Sequence, residues 1–213
     1  MALFQRQPIE LSQSLPYTLS LNTKTVLVVG LGNPGKDYNL TRHNIGFYTL
    51  DDFAQANEFP DFKEHSKFKG FTTEKILGQT KVILLKPGTF MNNSGEAVQA
   101  IASYHKIAPQ DIICVYDELS IPFGQIRMRV GGQSAGHNGI KSLIQHVGHS
   151  FGRVRIGIKN NITEKAEDSD FVLGKFTKTE QQHLKTLSQE TGAVITEFIY
   201  SNKLPHETRS IIL

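Results

Sequence analysis

Four stretches of the chain carry side chains able to do chemistry on a carbonyl group. GNPGKDYNLTRHN (32–44) supplies Asn33, Tyr38, His43 and Asn44. TFMNNSG (89–95) supplies Asn92 and Asn93, VYDELSIPFG (115–124) supplies Asp117, and SAGHNG (134–139) supplies His137 and Asn138. An imidazole moves a proton near neutral pH, a carboxylate can orient it and stabilise its charged form, and carboxamide N–H groups can bind developing negative charge. No serine or cysteine sits in a nucleophile-elbow motif, so this set suggests a hydrolase that activates water. His43 reads as the base and Asp117 as its partner, while His137 reads as structural or substrate-positioning. No H-x-x-x-H or Cys/His cluster is present, and no metal or other cofactor is expected.

One of these stretches overlaps a different spelling. Gly30, Gly32 and Gly35 in VVGLGNPG fit G-x-G-x-x-G, the loop that seats a dinucleotide pyrophosphate. That use requires a helix starting inside the motif and an acid ending a second strand about 20 residues on. Here Pro34 interrupts the glycines and the polar, poorly helical KDYNLTRHN follows. The acids at a suitable distance, Asp51 and Asp52, fall in a helical pattern. A dinucleotide-binding oxidoreductase is therefore only a rival reading.

The elements that must hold these loops follow from apolar periodicity. KTVLVV (24–29), KVILLK (81–86) and DIICVYD (111–117) read as strands, the last one ending at Asp117, while QIRMRV (125–130) and RVRIGI (153–158) alternate like strands. In QIRMRV the pattern turns Ile126, Met128 and Val130 one way and Gln125, Arg127 and Arg129 the other. Thr41 could cap a helix bearing Ile45, Tyr48, Phe53 and Ala56, and NSGEAVQAIASYHK offers a second helix. GIKSLIQHV spaces Ile140, Leu143, Ile144 and Val147 as one face of a third. A long closing helix follows, with Thr177 and Glu180 as a capping box and Leu184, Leu187, Thr191, Val194 and Phe198 as its stripe. Strands alternating with helices imply an α/β sandwich: a single domain with a mixed, largely parallel twisted sheet flanked by helices. In such sheets ligands sit beyond the carboxyl ends of strands, which gathers the loops named above.

The 213 residues suit one domain, here 23–213, after an N-terminal extension over residues 1–22 that reads as loosely ordered. That extension is a weak transit-peptide candidate and no secretory signal, so the expected compartment is the cytoplasm, or an organelle if the extension is a transit peptide. No run reaches the apolar length of a membrane span, and the lone Cys114, in an apolar run, reads as a buried thiol. Net charge is only +3, yet no acid occurs between Glu118 and Glu164, a segment holding Arg127, Arg129, Lys141, Arg153, Arg155 and Lys159. An uncompensated basic surface attracts phosphates, so an anionic substrate is suggested.

VVGLGNPGKDYNLTRHNIGF, KPGTFMNNSG, VYDELSIPFGQIRMRVGG, GHNGIKSL and FGRVRIGI…FVLGKF, in this order from about Lys24 to Tyr200, together resemble bacterial-type peptidyl-tRNA hydrolase. The resemblance implies a compact, monomeric, cofactor-free α/β enzyme that cleaves the ester between a peptide and the 3′ ribose of tRNA, recycling tRNA during translation. It also implies His43 as base, Asp117 as its acid and Asn33 as the selector of N-blocked substrates, with Asn92 in the catalytic set. Tyr38, Phe90, Asn92 and Asn138 would hold the peptide and the 3′ CCA end, and Arg153 and Arg155 would meet tRNA phosphates. The lysine often found beyond RIGI is matched only approximately, by Lys159 or Lys165. Some relatives have lost hydrolysis and bind RNA in splicing. The presence of His43, Asp117, Asn33 and Asn92 argues against that alternative.

Overall fold

The computed structural model describes residues 24–161 and 167–211; the N-terminal extension and Lys165 lie outside them. The described chain forms one sheet of eight strands: β1 (Lys24–Gly30), β2 (Lys63–His65), β3 (Gly70–Leu77), β4 (Thr80–Pro87), β5 (Ile112–Pro122), β6 (Gln125–Val130), β7 (Gly152–Lys159) and β8 (Thr208–Ser210). Their order across the sheet is β2-β3-β4-β1-β5-β7-β6-β8. The middle four, β4-β1-β5-β7, run parallel, and antiparallel strands extend both edges. A mixed sheet with a parallel centre is what the alternation of strands and helices implies.

Helices cover both faces. Val26, Val28, Ile113 and Val115 turn toward α1 (Ile45–Ala56) and α5 (Lys178–Ser201), where they meet Leu50, Phe53, Leu187 and Phe198. The alternate residues Leu27, Val29, Ile112 and Cys114 turn toward α2 (Ser94–His105) and α3 (Asn138–Val147), against Val98, Ile101, Ile140 and Leu143. Period-two alternation on strands buried on both sides produces this division. The capping box on α5 is present in full, with Thr177 and Glu180 bonding reciprocally, and all five residues of its stripe are buried. Among the described residues no helix is long and apolar enough to cross a membrane.

Several expectations shift. Thr41 does not cap α1: its hydroxyl donates to Tyr38 O at 2.8 Å, and a single 3-10 turn over Arg42–Asn44 intervenes before Ile45. Asp117 does not end a strand, because β5 continues to Pro122 by pairing with β7 across an irregularity at Glu118–Pro122 and turning back into β6. Val130, read as inward-facing, is 56% exposed at the end of β6. The rival dinucleotide loop is absent, since the helix starts at Ile45 rather than among the glycines. Gly30 serves packing instead: a Cβ there would strike the carbonyl of Gly46 in the first turn of α1.

Candidate active site

β1 stops at Gly30, opposite Val115, while β5 runs on. Beyond that point Asp117 has no β1 neighbour, and a cleft opens at the crevice where such sheets bind ligands. The cleft has a volume of about 200 Å³ and is lined by His43, Asp117, His137 and Asn138 together with residues of α4 (Asp168–Leu173).

Asp117, 2% exposed, is the centre of the cluster. Its two oxygens accept from His43 Nδ1 at 2.9 and 3.0 Å, and Oδ1 also accepts from His137 Nε2 at 3.1 Å. Burial alone would push this carboxyl up; the two imidazoles and their hydrogen bonds outweigh it and hold Asp117 well below the usual carboxylate range. For His43, burial lowers the pKa, but the charge of Asp117 and the hydrogen bond to it together raise it above the ordinary value. With Nδ1 committed as donor to the carboxylate, Nε2 of His43 is left to take a proton from a ligand in the cleft.

His137 cannot play that part. It is the N-cap of α3, and its Nδ1 accepts from Ile140 N at 3.3 Å. An acceptor Nδ1 fixes the proton on Nε2, where it is donated to Asp117, so both ring nitrogens are occupied. The sequence reads His137 as structural or substrate-positioning, and its place as N-cap of α3 and donor to Asp117 agrees with the structural part of that reading. The same arrangement bears on metals. Donor atoms of His43, Asp117 and His137 lie within 4.8 Å of one another. To ligate through Nε2, however, His137 would need its proton on Nδ1, against the Ile140 N–H. The donor set fits a hydrogen-bonded cluster better than a metal centre.

Asparagines lace the surrounding loops. Asn44 Oδ1 accepts from Asn33 N, and Asn44 Nδ2 donates to Asn33 O, both at 2.9 Å. Asn33 Oδ1 in turn accepts from Met91 N at 2.8 Å, which leaves its Nδ2 as the free donor. The glycine loop, the turn bearing His43 and the turn bearing Asn92 are thus one unit, although Asn33 and the exposed Asn92 do not line the cleft itself. Tyr38 and the 60%-exposed Phe90 meet edge to face, with centroids 6.2 Å apart.

The two arginines stand elsewhere. Arg153 pairs with Arg129 and Arg155 with Arg127 in the β6–β7 ladder, so all four project from one face. Arg153 is not available to a phosphate: it is 1% exposed, donates to Gln133 O at 2.6 Å and Gly132 O at 2.5 Å, and packs over Phe151. Arg127, Arg129 and Arg155 remain half-buried at that face. The sequence could not separate Arg153 from Arg155 because they share a strand face and differ only in how far along it they lie. Lys159 is exposed at the end of β7.

A buried His–Asp pair with an adjacent carboxamide network, set in the crevice of a parallel-centred α/β sheet, is an arrangement suited to a hydrolase. Residues 27–211 match the peptidyl-tRNA hydrolase family. Peptidyl-tRNA hydrolase of Listeria monocytogenes is 44% identical over 81% of this chain and 91% of its own, and that of Methylocella silvestris is 44% identical over 79% and 84%. The crystal structure of peptidyl-tRNA hydrolase from Acinetobacter baumannii superposes with a TM-score of 0.76 at 35% identity, covering 84% of this chain and 90% of that one. The chain belongs to the peptidyl-tRNA hydrolase family.

Proposed function

We propose that the cleft hydrolyses the ester joining a peptide, or an N-blocked aminoacyl group, to the 3′ ribose of tRNA, with His43 as general base. The observation that carries this is the His43–Asp117 pair, with one imidazole nitrogen bound to the carboxylate on a residue that lines the cleft. Water attacks the carbonyl carbon as His43 Nε2 takes its proton, and Asp117 stabilises the imidazolium. Asn33 Nδ2 and Asn92, on the loops beside the cleft rather than in its lining, are the donors read as meeting the oxyanion once the substrate spans from the cleft to those loops. Collapse of the tetrahedral species breaks the bond to the ribose oxygen, which takes the proton back from His43. Tyr38, Phe90 and Asn138 flank the acceptor end and the peptide.

The tRNA backbone is read as lying on Arg127, Arg129 and Arg155, in place of the Arg153–Arg155 pair that the sequence suggests. All the groups invoked come from one chain, so a monomer suffices, in whichever compartment translation runs. Incubation with N-acetyl-aminoacyl-tRNA and with unblocked aminoacyl-tRNA tests the reading. Rapid release of free tRNA from the blocked form, lost in His43→Ala, supports it; no release from either form refutes it.

A further inference from the structure

The residue before the base is an arginine that has been taken out of water. Arg42 is 4% exposed, and its Nη2 donates to Glu180 Oε2 at 3.0 Å, a partner 138 positions away in sequence and itself 6% exposed. Nη1 reaches Phe171 O at 3.4 Å, and the guanidinium stands over the rings of Phe171 and Phe176, at 4.2 and 5.6 Å from their centroids. Gly174 makes room for it, since a Cβ there would lie 3.1 Å from Nη1. The main chain repeats the link: Arg42 N donates to Gly174 O, Phe176 N donates to Leu40 O, and Thr41 bridges Lys175.

Glu180 is held just as firmly. Oε2 closes the capping box by accepting from Thr177 N at 2.7 Å, and Oε1 accepts from Asn160 Nδ2 at 2.6 Å. Three elements therefore meet at this ion pair: the turn that bears His43, the end of α4, and the start of α5. From α4, Asp168, Ser169 and Val172 form the outer wall of the catalytic cleft. A buried ion pair is a poor device for stability, because apolar side chains of similar volume commonly do as well. It is a good device for fixing one arrangement of the elements it joins, since a planar guanidinium with two acceptors and a ring beneath it tolerates little displacement.

We propose that Arg42 is a positioning residue for the base, its ion pair with Glu180 clamping the α4 wall of the cleft to the turn that carries His43. The proposal rests on the hydrolytic reading of that cleft. It requires that the clamp be felt in turnover and in the His43 ring, and not in stability alone.

The test compares the parent, Arg42→Lys, and the paired apolar variant Arg42→Met/Glu180→Met, which leaves no charge unpaired should the single change fail to fold. Assays run on N-acetyl-aminoacyl-tRNA well below each Tm. A base misplaced by about 1 Å costs up to ~10²-fold, so kcat is expected to fall roughly 10- to 100-fold with KM changed by less than about threefold. The titration of the His43 ring, followed by NMR, is expected to move to lower pH as the contact with Asp117 loosens. A kcat within about twofold of the parent together with an unmoved His43 titration overturns the proposal, whatever happens to Tm. If the parent itself releases no tRNA, the hydrolytic reading has failed, and the His43 titration alone then decides whether the clamp exists.

Discussion

Two sets of charge on this sheet are completed differently. At the open end of β5, Asp117 has its charge answered within the protein by two imidazoles at 2.9–3.1 Å. Across β6 and β7 four arginines stand in register, Arg127 beside Arg155 and Arg129 beside Arg153, and all four Nε atoms are buried without a hydrogen-bond partner. The first set is electrostatically closed; the second is answered in part by Glu118 Oε2, 3.9 Å from Arg155 Nη1, and keeps a net positive charge that suits an anion. Arg153 is the exception that ties them together, because its fork is spent on the carbonyls of Gly132 and Gln133, in the turn that leads to His137.

The largest effect belongs to the closed set. A positioned base supplies about 10²–10⁴ in rate, so His43→Ala is expected to lose at least that in kcat with substrate affinity kept. Single-turnover hydrolysis and a separate binding titration check this, and near-parent turnover by a folded variant refutes it. Asp117→Asn comes next, with a smaller fall in kcat. Because Asp117 raises the His43 pKa, activity in the parent is expected to decline as pH drops through a value above histidine's ordinary one. Removing the anion removes that support, so the acidic limb of the pH–rate profile should move to lower pH. A limb that stays in place means Asp117 does not act on His43 through its charge.

How these sets could be read from sequence differed for a physical reason. The contact of His43 with Asp117 was legible because loop chemistry stands apart from apolar periodicity: the two residues interrupt or follow strongly patterned strands. Even so, β5 ran past Asp117 to Pro122, because pairing with β7 across an irregularity overrides the loop signals of Ser120 and Pro122. The edge strands β2 and β8 went unread, as did β3, which beyond Thr72 pairs with β4 alone. KEH and GFTTEKIL are half-exposed and lysine-bearing, and edge strands tolerate such residues because only one side needs partners. Neither the contact of His137 with Asp117 nor the burial of Arg153 could be seen, because both depend on partners distant in sequence rather than on local spacing.

The open set should respond to salt and to little else. On the proposed reading, replacing Arg127 and Arg155 by alanine removes two phosphate contacts, each expected to contribute about 0.7–0.9 to the log–log dependence of tRNA binding on salt. Weaker tRNA binding with a flatter slope is expected, while a blocked aminoacyl-adenosine, which has no such backbone, should react as with the parent. Equal loss on both substrates would mean that these arginines act on the cleft.

Arg153 should show the smallest effect on chemistry, and it sharpens the division most. If it belonged with the phosphate-binding arginines, Arg153→Met would weaken tRNA binding and flatten the salt slope as its neighbours do. Its geometry assigns it instead to the protein interior, 1% exposed and over the Phe151 ring at 4.7 Å. Methionine keeps much of the stem's packing but leaves the Gly132 and Gln133 carbonyls without their donors. Unsatisfied buried groups cost about 1–3 kcal/mol, and removing a charge whose pKa burial already pushes down gives part of that back. The net expectation is a lowered Tm, by ~2–4 °C for each kcal/mol lost in a chain of this length, with the salt slope unchanged. Thermal melts beside salt titrations of tRNA binding decide the matter: a flattened slope at an unchanged Tm would return Arg153 to the anion-binding face.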